Sequence, residues 1–502
     1  MVGLKRMKLF GKEMREGNRF EAKAAVGGLP RSLWETYSAF ANSDGGEILL
    51  GVEERPDKTL HVVGIEHPNR LVKEFWDTVN NQSKVNLNIL SDRDVIVENA
   101  EGKKIVRIMV PRAERSERPI FLNRDMLGGT FRRNGEGDYR CSKEEVRAML
   151  RDAESKSMDL QLVGKMGVGV LNADTIHRYR NRMQSCRPGH VWQDLDDEPF
   201  LIRLGALAHD DAGTLRPTRA GLLMFGNEYD IVLEFHDYFL DYQERLEEGV
   251  RWSDRIVSSS GEWSGNIYDF YFRVYNRISQ TLTVPFRIKG SDRIDDTPIH
   301  QAVREALVNC LVNADYDLPR GVVVVRNIDG LVMSNPGGFR IPIATAMSGG
   351  ISDPRNATLL KMFTLIDIGE RSGHGIPMID ASWRAQNWPA MQCREEYAPE
   401  RTTIELQMPN KKFKTRKVAI KSGDKKAAIK SGDNGLSAIG KAHWAIIKAY
   451  LAEHDVATSR ELADVLKLGA SRVREFLGEM IARGSIVSHG ANRNRVYRLK
   501  EC

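Results

Sequence analysis

Apolar positions recur along this chain with two periods, and the switches between them mark its elements. Leu33, Trp34, Tyr37, Phe40 and Ala41 follow helical spacing after Pro30, and the run Asn42-Ser43-Asp44-Gly45-Gly46 ends that helix. Glu47 to Val52 reads as a short buried strand. Gly128 to Arg133 reads as another, running into the turn Asn134-Gly135-Glu136-Gly137. Ser142 and Glu145 form a capping box that opens a helix over 143–151. Leu201 to Phe225 carries a helix-turn-strand pattern, and Ile267 to Leu282 an aromatic-rich helix. Thr297 is placed to cap a helix over 298–315, with Pro298 at its first position and Ile299, Val303, Leu307 and Leu311 facing inward. A strand over 321–326, an Asp329-Gly330 turn and a strand over 331–334 form a hairpin. Three more helical stretches (442–453, 459–467, 471–483) precede a last hairpin tipped by Gly490-Ala491-Asn492.

These elements divide the chain into an α+β multidomain protein. An α+β unit over 1–152 leads into a connecting region over 153–290. An α/β sandwich is expected over 291–410, a linker over 411–434 and a small winged helix over 435–502. The linker holds nine Lys or Arg against two Asp and repeats A-I-K-S-G-D, a composition that cannot bury a core. At 502 residues the chain has room for several domains. The net charge of +6 permits nucleic-acid binding without showing it. Five scattered cysteines without a CxxC pair speak against a disulfide framework or a cysteine zinc site, and fit a reducing cytoplasm. The first residues are too charged for a signal peptide, and no apolar run reaches the roughly 18 residues of a membrane span.

Chemistry concentrates first between Glu305 and Gly338. Glu305 and Asn309 lie four apart on one helix and so share a face. A carboxylate there can activate water, and an amide oxygen can hold Mg²⁺. The later turn Asn335-Pro336-Gly337-Gly338 lets backbone approach a nucleotide. The chain has no G-x-x-x-x-G-K-[ST], which argues against a P-loop ATPase or helicase.

Over roughly 295–410 these residues resemble the GHKL ATPase superfamily, which includes gyrase-type, MutL-type and histidine-kinase ATP domains. The resemblance implies Glu305 as general base and Asn309 as Mg²⁺ ligand. Asn335 stands where that family places an Asp against adenine, with Gly337 and Gly338 following. Gly373 and Gly375, in Gly369-Glu370-Arg371-Ser372-Gly373-His374-Gly375-Ile376, match the later glycine motif beside the phosphates. Asp353-Pro354-Arg355-Asn356 falls where the ATP lid would be.

A second constellation opens the chain. Phe20 and Ala22 alternate with Glu21 and Lys23, so the charged pair shares one strand face, with Glu16 just before. Glu53 or Glu54 ends the strand Glu47–Val52. Clustered carboxylates bind Mg²⁺ or Mn²⁺ and activate water for phosphodiester cleavage, and a neighbouring Lys steadies phosphate charge. The pattern E-x4-E-x-K, then N-x-x-G-G-x-I-L-L-G-V-E-E, then G-T-F-R-R-N-G resembles the Schlafen AlbA-type domain across about 1–150. That resemblance implies a nuclease acting on tRNA or other RNA, with Glu16 and Glu21 as the first carboxylates, Lys23 as the adjoining base and Glu53 or Glu54 where an Asp is more usual. Many bacterial relatives are DNA-binding modules instead. Arg132 and Arg133 have two readings, phosphate contacts or plain surface residues.

In the C-terminal part, Arg472 and Arg474 lie near the start of the expected recognition helix, and Arg493 and Arg495 in the hairpin. The winged helix can serve nucleic acid or protein docking. The whole order resembles a bacterial group labelled helicase-related or transcriptional regulator. It implies RNA or DNA as partner and a homo-oligomer. Two functions are in view. One is an ATP-gated, metal-dependent endonuclease, with phage defence as a setting. The other is an ATP-responsive DNA-binding regulator that does not cut.

Overall fold

The structure is a computed structural model. It describes residues 8–9, 12–13, 19–246, 251–282, 287–289, 292–294, 297–369, 372–397, 399–408, 438–466, 473, 476–478, 480–481, 485–489 and 496–499. The chain forms two compact units, Met1–Lys414 and Thr415–Cys502. The linker expected over 411–434 lies outside the described residues.

The first unit begins with a four-stranded sheet in the order Phe20–Lys23, Gly46–Leu50, Lys103–Val110, Val95–Ala100. The first two strands run parallel and the others antiparallel. A parallel pair needs a crossover, and helix Ser32–Ala41 supplies it. Its Leu33, Tyr37 and Phe40 pack with Leu71 and Phe75 of helix Pro68–Val79 against Ile48, Leu50 and Ile108. Asn42 ends the first helix as expected. Its buried side chain donates to the carbonyls of Ile120 (2.8 Å) and Phe131 (3.0 Å) and accepts from Ile120 N–H (2.8 Å). The strand expected over Glu47–Val52 breaks at Gly51, whose φ of +89° turns the chain into a separate hairpin, Val52–Glu54 with Leu60–Val62. Strand Phe131–Asn134 pairs with Gly137–Arg140, and helix Lys143–Ala153 opens on the expected Ser142–Glu145 capping box.

The second sheet has six strands in the order Asp254–Val257, Leu240–Arg245, Val322–Asn327, Gly330–Pro336, Glu400–Gln407, Gln392–Tyr397. The hairpin expected around Asp329-Gly330 forms its centre. Strand Leu240–Arg245 joins it in parallel. The boundary expected at 290 is therefore corrected: two strands before it belong to this sheet. Helices Ile267–Thr281, Pro298–Val312 and Gly375–Arg384 share the same core, through Phe270, Tyr271, Leu307, Leu311, Ile379 and Trp383. The expected strand at the end of Leu201–Phe225 is instead helix Arg219–Phe225. Thr218 caps it by accepting from Gly221 N–H, and all seven of its residues are buried, which hides the helical period in the sequence.

The second unit holds helices Ala438–His454 and Ser459–Leu466 and a three-stranded antiparallel sheet, Ala457–Thr458, Val496–Leu499, Ile486–His489. Val473, Leu477 and Met480 complete its core with Ile447, Leu451 and Leu462. No helix among the described residues is long and apolar enough to cross a membrane.

Replacing Asn42 by Ala strands the Ile120 N–H and takes a donor from the carbonyls of Phe131 and Ile120, the latter keeping the Ser38 hydroxyl (2.7 Å). The expected loss is about 3 kcal/mol of stability for the first unit, read from urea unfolding. A change below about 1 kcal/mol would contradict this account of the turn.

Candidate functional site

Thr297 starts the helix Pro298–Val312, its hydroxyl 2.9 Å from His300 Nδ1. Glu305 and Asn309 sit side by side on that helix, Asn309 Nδ2 donating to Glu305 Oε1 at 3.2 Å. With its nitrogen committed there, the amide oxygen of Asn309 is turned to accept a metal or a donor, which is the chemistry Mg²⁺ takes. Gly375, at the start of helix Gly375–Arg384, packs against both. A Cβ at this position would overlap the Glu305 carboxylate. Asn335 is buried at the end of strand Gly330–Pro336 and donates to Pro336 O at 3.2 Å. Gly337 follows with φ +90°, and Gly338 N–H donates to Glu400 Oε1 at 3.2 Å. Gly373 O accepts from Gly350 N–H at 3.1 Å, so the later glycine motif touches the chain just ahead of the expected lid. Glu370 and Arg371 of that motif lie outside the described residues.

These pieces meet around one cavity of about 100 Å³, lined by Glu305, Asn309, Asn335, Gly338, Gly373 and Gly375 among others. A second cavity of about 570 Å³ shares Glu305 and Gly375 with it and adds Gln301, Arg304 and His374.

The outer wall of the first cavity is Phe339, Arg340, Ile341, Asp353 and Pro354. What holds it is a set of bonds between residues far apart in sequence. Arg355 is buried, and its guanidinium donates to both oxygens of Asp152 (2.9 and 2.7 Å), to Asn313 O (2.6 Å) and to Gly338 O (3.2 Å). Burial alone would raise the Asp152 carboxyl. The guanidinium groups of Arg355 and Arg340 outweigh it and hold that carboxyl below its usual value. Arg112 donates to Phe339 O (2.7 Å) and pairs with Glu395 (2.9 Å), and Arg115 pairs with Asp353 (2.5 Å). Arg112 and Arg115 come from the N-terminal domain, and Asp152 from helix Lys143–Ala153 that follows it. A cue existed in part: Asp152 falls at the end of a capped helix and Arg355 in the expected lid, but nothing local links them.

The N-terminal constellation is organised differently from the expectation. Glu21 Oε1 pairs with Lys23 Nζ (2.9 Å) and Oε2 with Arg133 Nη2 (2.8 Å). Arg133 also pairs with Asp138 (2.9 Å), which accepts from Thr36 Oγ1 (2.7 Å). The hairpin register sets Asp138 opposite Arg133, a partner the sequence reading passed over. Glu53 is exposed, and Glu54 pairs with Lys58 at 3.3 Å. The break at Gly51 carries both out of the sheet that holds Glu21. Among the described residues no three of His, Cys, Asp and Glu gather as a metal requires. Glu16 lies outside the described residues, as do Arg472, Arg474, Arg493 and Arg495. The phosphate-contact reading of Arg132 and Arg133 is corrected. Both are buried, Arg132 against Glu400 (3.2 Å) and Arg133 against Glu21 and Asp138. Burial would lower the Arg132 guanidinium, but Glu400 overrides it and keeps it charged.

Comparison with known proteins assigns the parts. Residues 16–142 match the family model "Schlafen, AlbA_2", residues 147–241 a "Domain of unknown function (DUF8451)", and residues 321–404 "Putative ATP-dependent DNA helicase recG C-terminal". The last match begins after the helix of Glu305 and Asn309, so those two residues rest on geometry. No curated protein matches. Solved structures are similar as well. The DIP2311 protein from Corynebacterium diphtheriae is 17% identical, over 96% of this chain and 91% of that one, with a TM-score of 0.39. The N-terminal domain of a RecG-related protein from Nitrosomonas europaea, titled a putative ATP-dependent DNA helicase, is 29% identical, over 25% of this chain and 83% of that one, with a TM-score of 0.20. The chain thus carries a Schlafen AlbA_2 domain at its N-terminus and, over 321–404, an ATPase-like domain of the recG C-terminal type.

Proposed function

We propose that this protein binds Mg²⁺-ATP between helices Pro298–Val312 and Gly375–Arg384, and that the nucleotide state controls nucleic-acid binding by the N-terminal domain. One observation carries this reading. Three motifs far apart in sequence, Glu305/Asn309, Asn335 to Gly338 and Gly373/Gly375, line a single cavity. At about 100 Å³ that cavity is small against the roughly 300–1,000 Å³ of small-molecule sites. The neighbouring cavity of about 570 Å³ makes up the difference. A nucleotide would be held by residues of both cavities, which share Glu305 and Gly375; Asn309 would offer its amide oxygen to Mg²⁺, and Glu305 would take a proton from water.

For the N-terminal domain the charges favour binding over cutting. Each oxygen of Glu21 already faces a cation, Lys23 or Arg133, and a divalent metal would have to displace one of them. The helices and three-stranded sheet of the second unit fit a winged helix that adds a second nucleic-acid contact.

In Glu305→Gln, phosphate release should fall at least about 100-fold, while calorimetric affinity for a non-hydrolysable ATP analogue stays near wild type. In Asn309→Ala the Mg²⁺-dependent part of that affinity should disappear. Wild-type protein with no measurable affinity for the analogue would end the nucleotide reading.

Incubated with tRNA, single-stranded DNA and duplex DNA in Mn²⁺, the protein should shift at least one of them in a gel and cut none. The shift should change when the ATP analogue is added. Cleavage that Glu21→Ala abolishes would replace the binding reading with the nuclease one.

A further inference from the structure

We infer that the chain ahead of the ATPase-like domain completes the nucleotide site, with Asp152 as a positioning residue that acts through Arg355 and Arg340 on the cavity's outer wall. The inference rests on the nucleotide reading above. Its basis is the run of contacts between two parts of one compact unit.

Beside local bonds such as Phe339 N–H to Glu395 Oε1 (2.9 Å), the wall is anchored at both ends by residues that precede the ATPase-like domain. At one end, Phe339 O accepts from Arg112. Next to it, Arg340 lines the cavity and donates to Asp152 O (3.2 Å) and to Pro354 O (2.9 Å). At the other end, Asp353 pairs with Arg115, whose guanidinium also donates to Asp152 O (2.7 Å). Asp152 therefore serves twice. Its carbonyl gathers Arg115 and Arg340, and its carboxylate fixes Arg355 from two directions.

Arg355 transmits that constraint to the cavity floor. It donates to Asn313 O, one of the carbonyls left open where helix Pro298–Val312 ends, and to Gly338 O in the glycine turn. A cation suits a helix C-terminus. Asn356 does the same beside it, donating to Val312 O (3.1 Å) and Ala314 O (2.8 Å). Wall and turn are thus held by one buried guanidinium against the residue that follows the motif helix, and its counter-ion comes from outside the ATPase-like domain.

Removing the carboxylate charge leaves a buried cation with too few acceptors. The wall 339–354 should then lose its seat while the core behind it stays packed. Bound nucleotide would be covered less well, which appears as weaker binding and a raised KM, with kcat little changed because Glu305 and Asn309 are untouched.

The test uses the full chain and a non-hydrolysable ATP analogue with Mg²⁺. Asp152→Asn should weaken the analogue at least about fivefold and raise KM for ATP by a similar factor, with kcat within about twofold. Asp152→Glu should recover part of the affinity. Hydrogen exchange should quicken over 339–356 and stay unchanged over 298–312. Affinity and exchange like wild type in Asp152→Asn would overturn the inference. So would equal loosening of 298–312, the mark of a general loss of stability. Asn309→Ala separates the two claims. If it abolishes Mg²⁺-dependent binding while Asp152→Asn does not weaken it, the nucleotide reading stands and the inference falls. If wild type binds no analogue, both fall.

Discussion

A guanidinium shut away from water is costly unless every side of it finds an anion or an acceptor. Arg355 is in that position, and its partners decide how the first unit is put together. Asp152 supplies the charge, and carbonyls of Asn313 and Gly338 fill the remaining directions. Because those partners come from a helix end, a glycine turn and another domain, one side chain ties three elements that would otherwise be free to shift. The same logic repeats at Arg132 with Glu400 and at Arg112 with Glu395. The seam between the domains is made of such pairs.

This arrangement changes what the N-terminal charges mean. Carboxylates and arginines in this domain look from the sequence like a metal site and a phosphate surface. In the fold they neutralise one another. Arg133 stands between Glu21 and Asp138, stacked 5.2 Å over Phe40, and Lys23 turns to Glu21 and Ser32. An acidic cluster with its own internal cations needs no metal to be stable.

What could be read from sequence was what is local. Capping residues, helical period and the Asp329-Gly330 turn act within a few positions, so helix Pro298–Val312, its hairpin and helix Lys143–Ala153 were legible, and with them Glu305, Asn309 and the glycines. The rest depends on pairings across long stretches of chain. Arg355 meets Asp152 from about two hundred positions away, and no period or spacing announces it. Helix Arg219–Phe225 is buried on every side, and its run from Ala220 to Phe225 lacks the polar face that separates helix from strand. Gly51 sits within an apolar run, yet its left-handed φ decides where Glu53 and Glu54 go.

The six-stranded sheet has a consequence for how this protein can be divided. Strand Val322–Asn327 has the hairpin on one side and Leu240–Arg245 on the other. A fragment that starts at the motif helix would keep every residue lining the smaller cavity, lose Asp152 and the arginines that hold its wall, and be a poor object for a second reason. Its sheet would end in an apolar strand of four valines with an open row of N–H and C=O groups, ready to pair with another chain. The part that would carry the chemistry and the part that can live alone in solution are therefore different lengths of the same polypeptide.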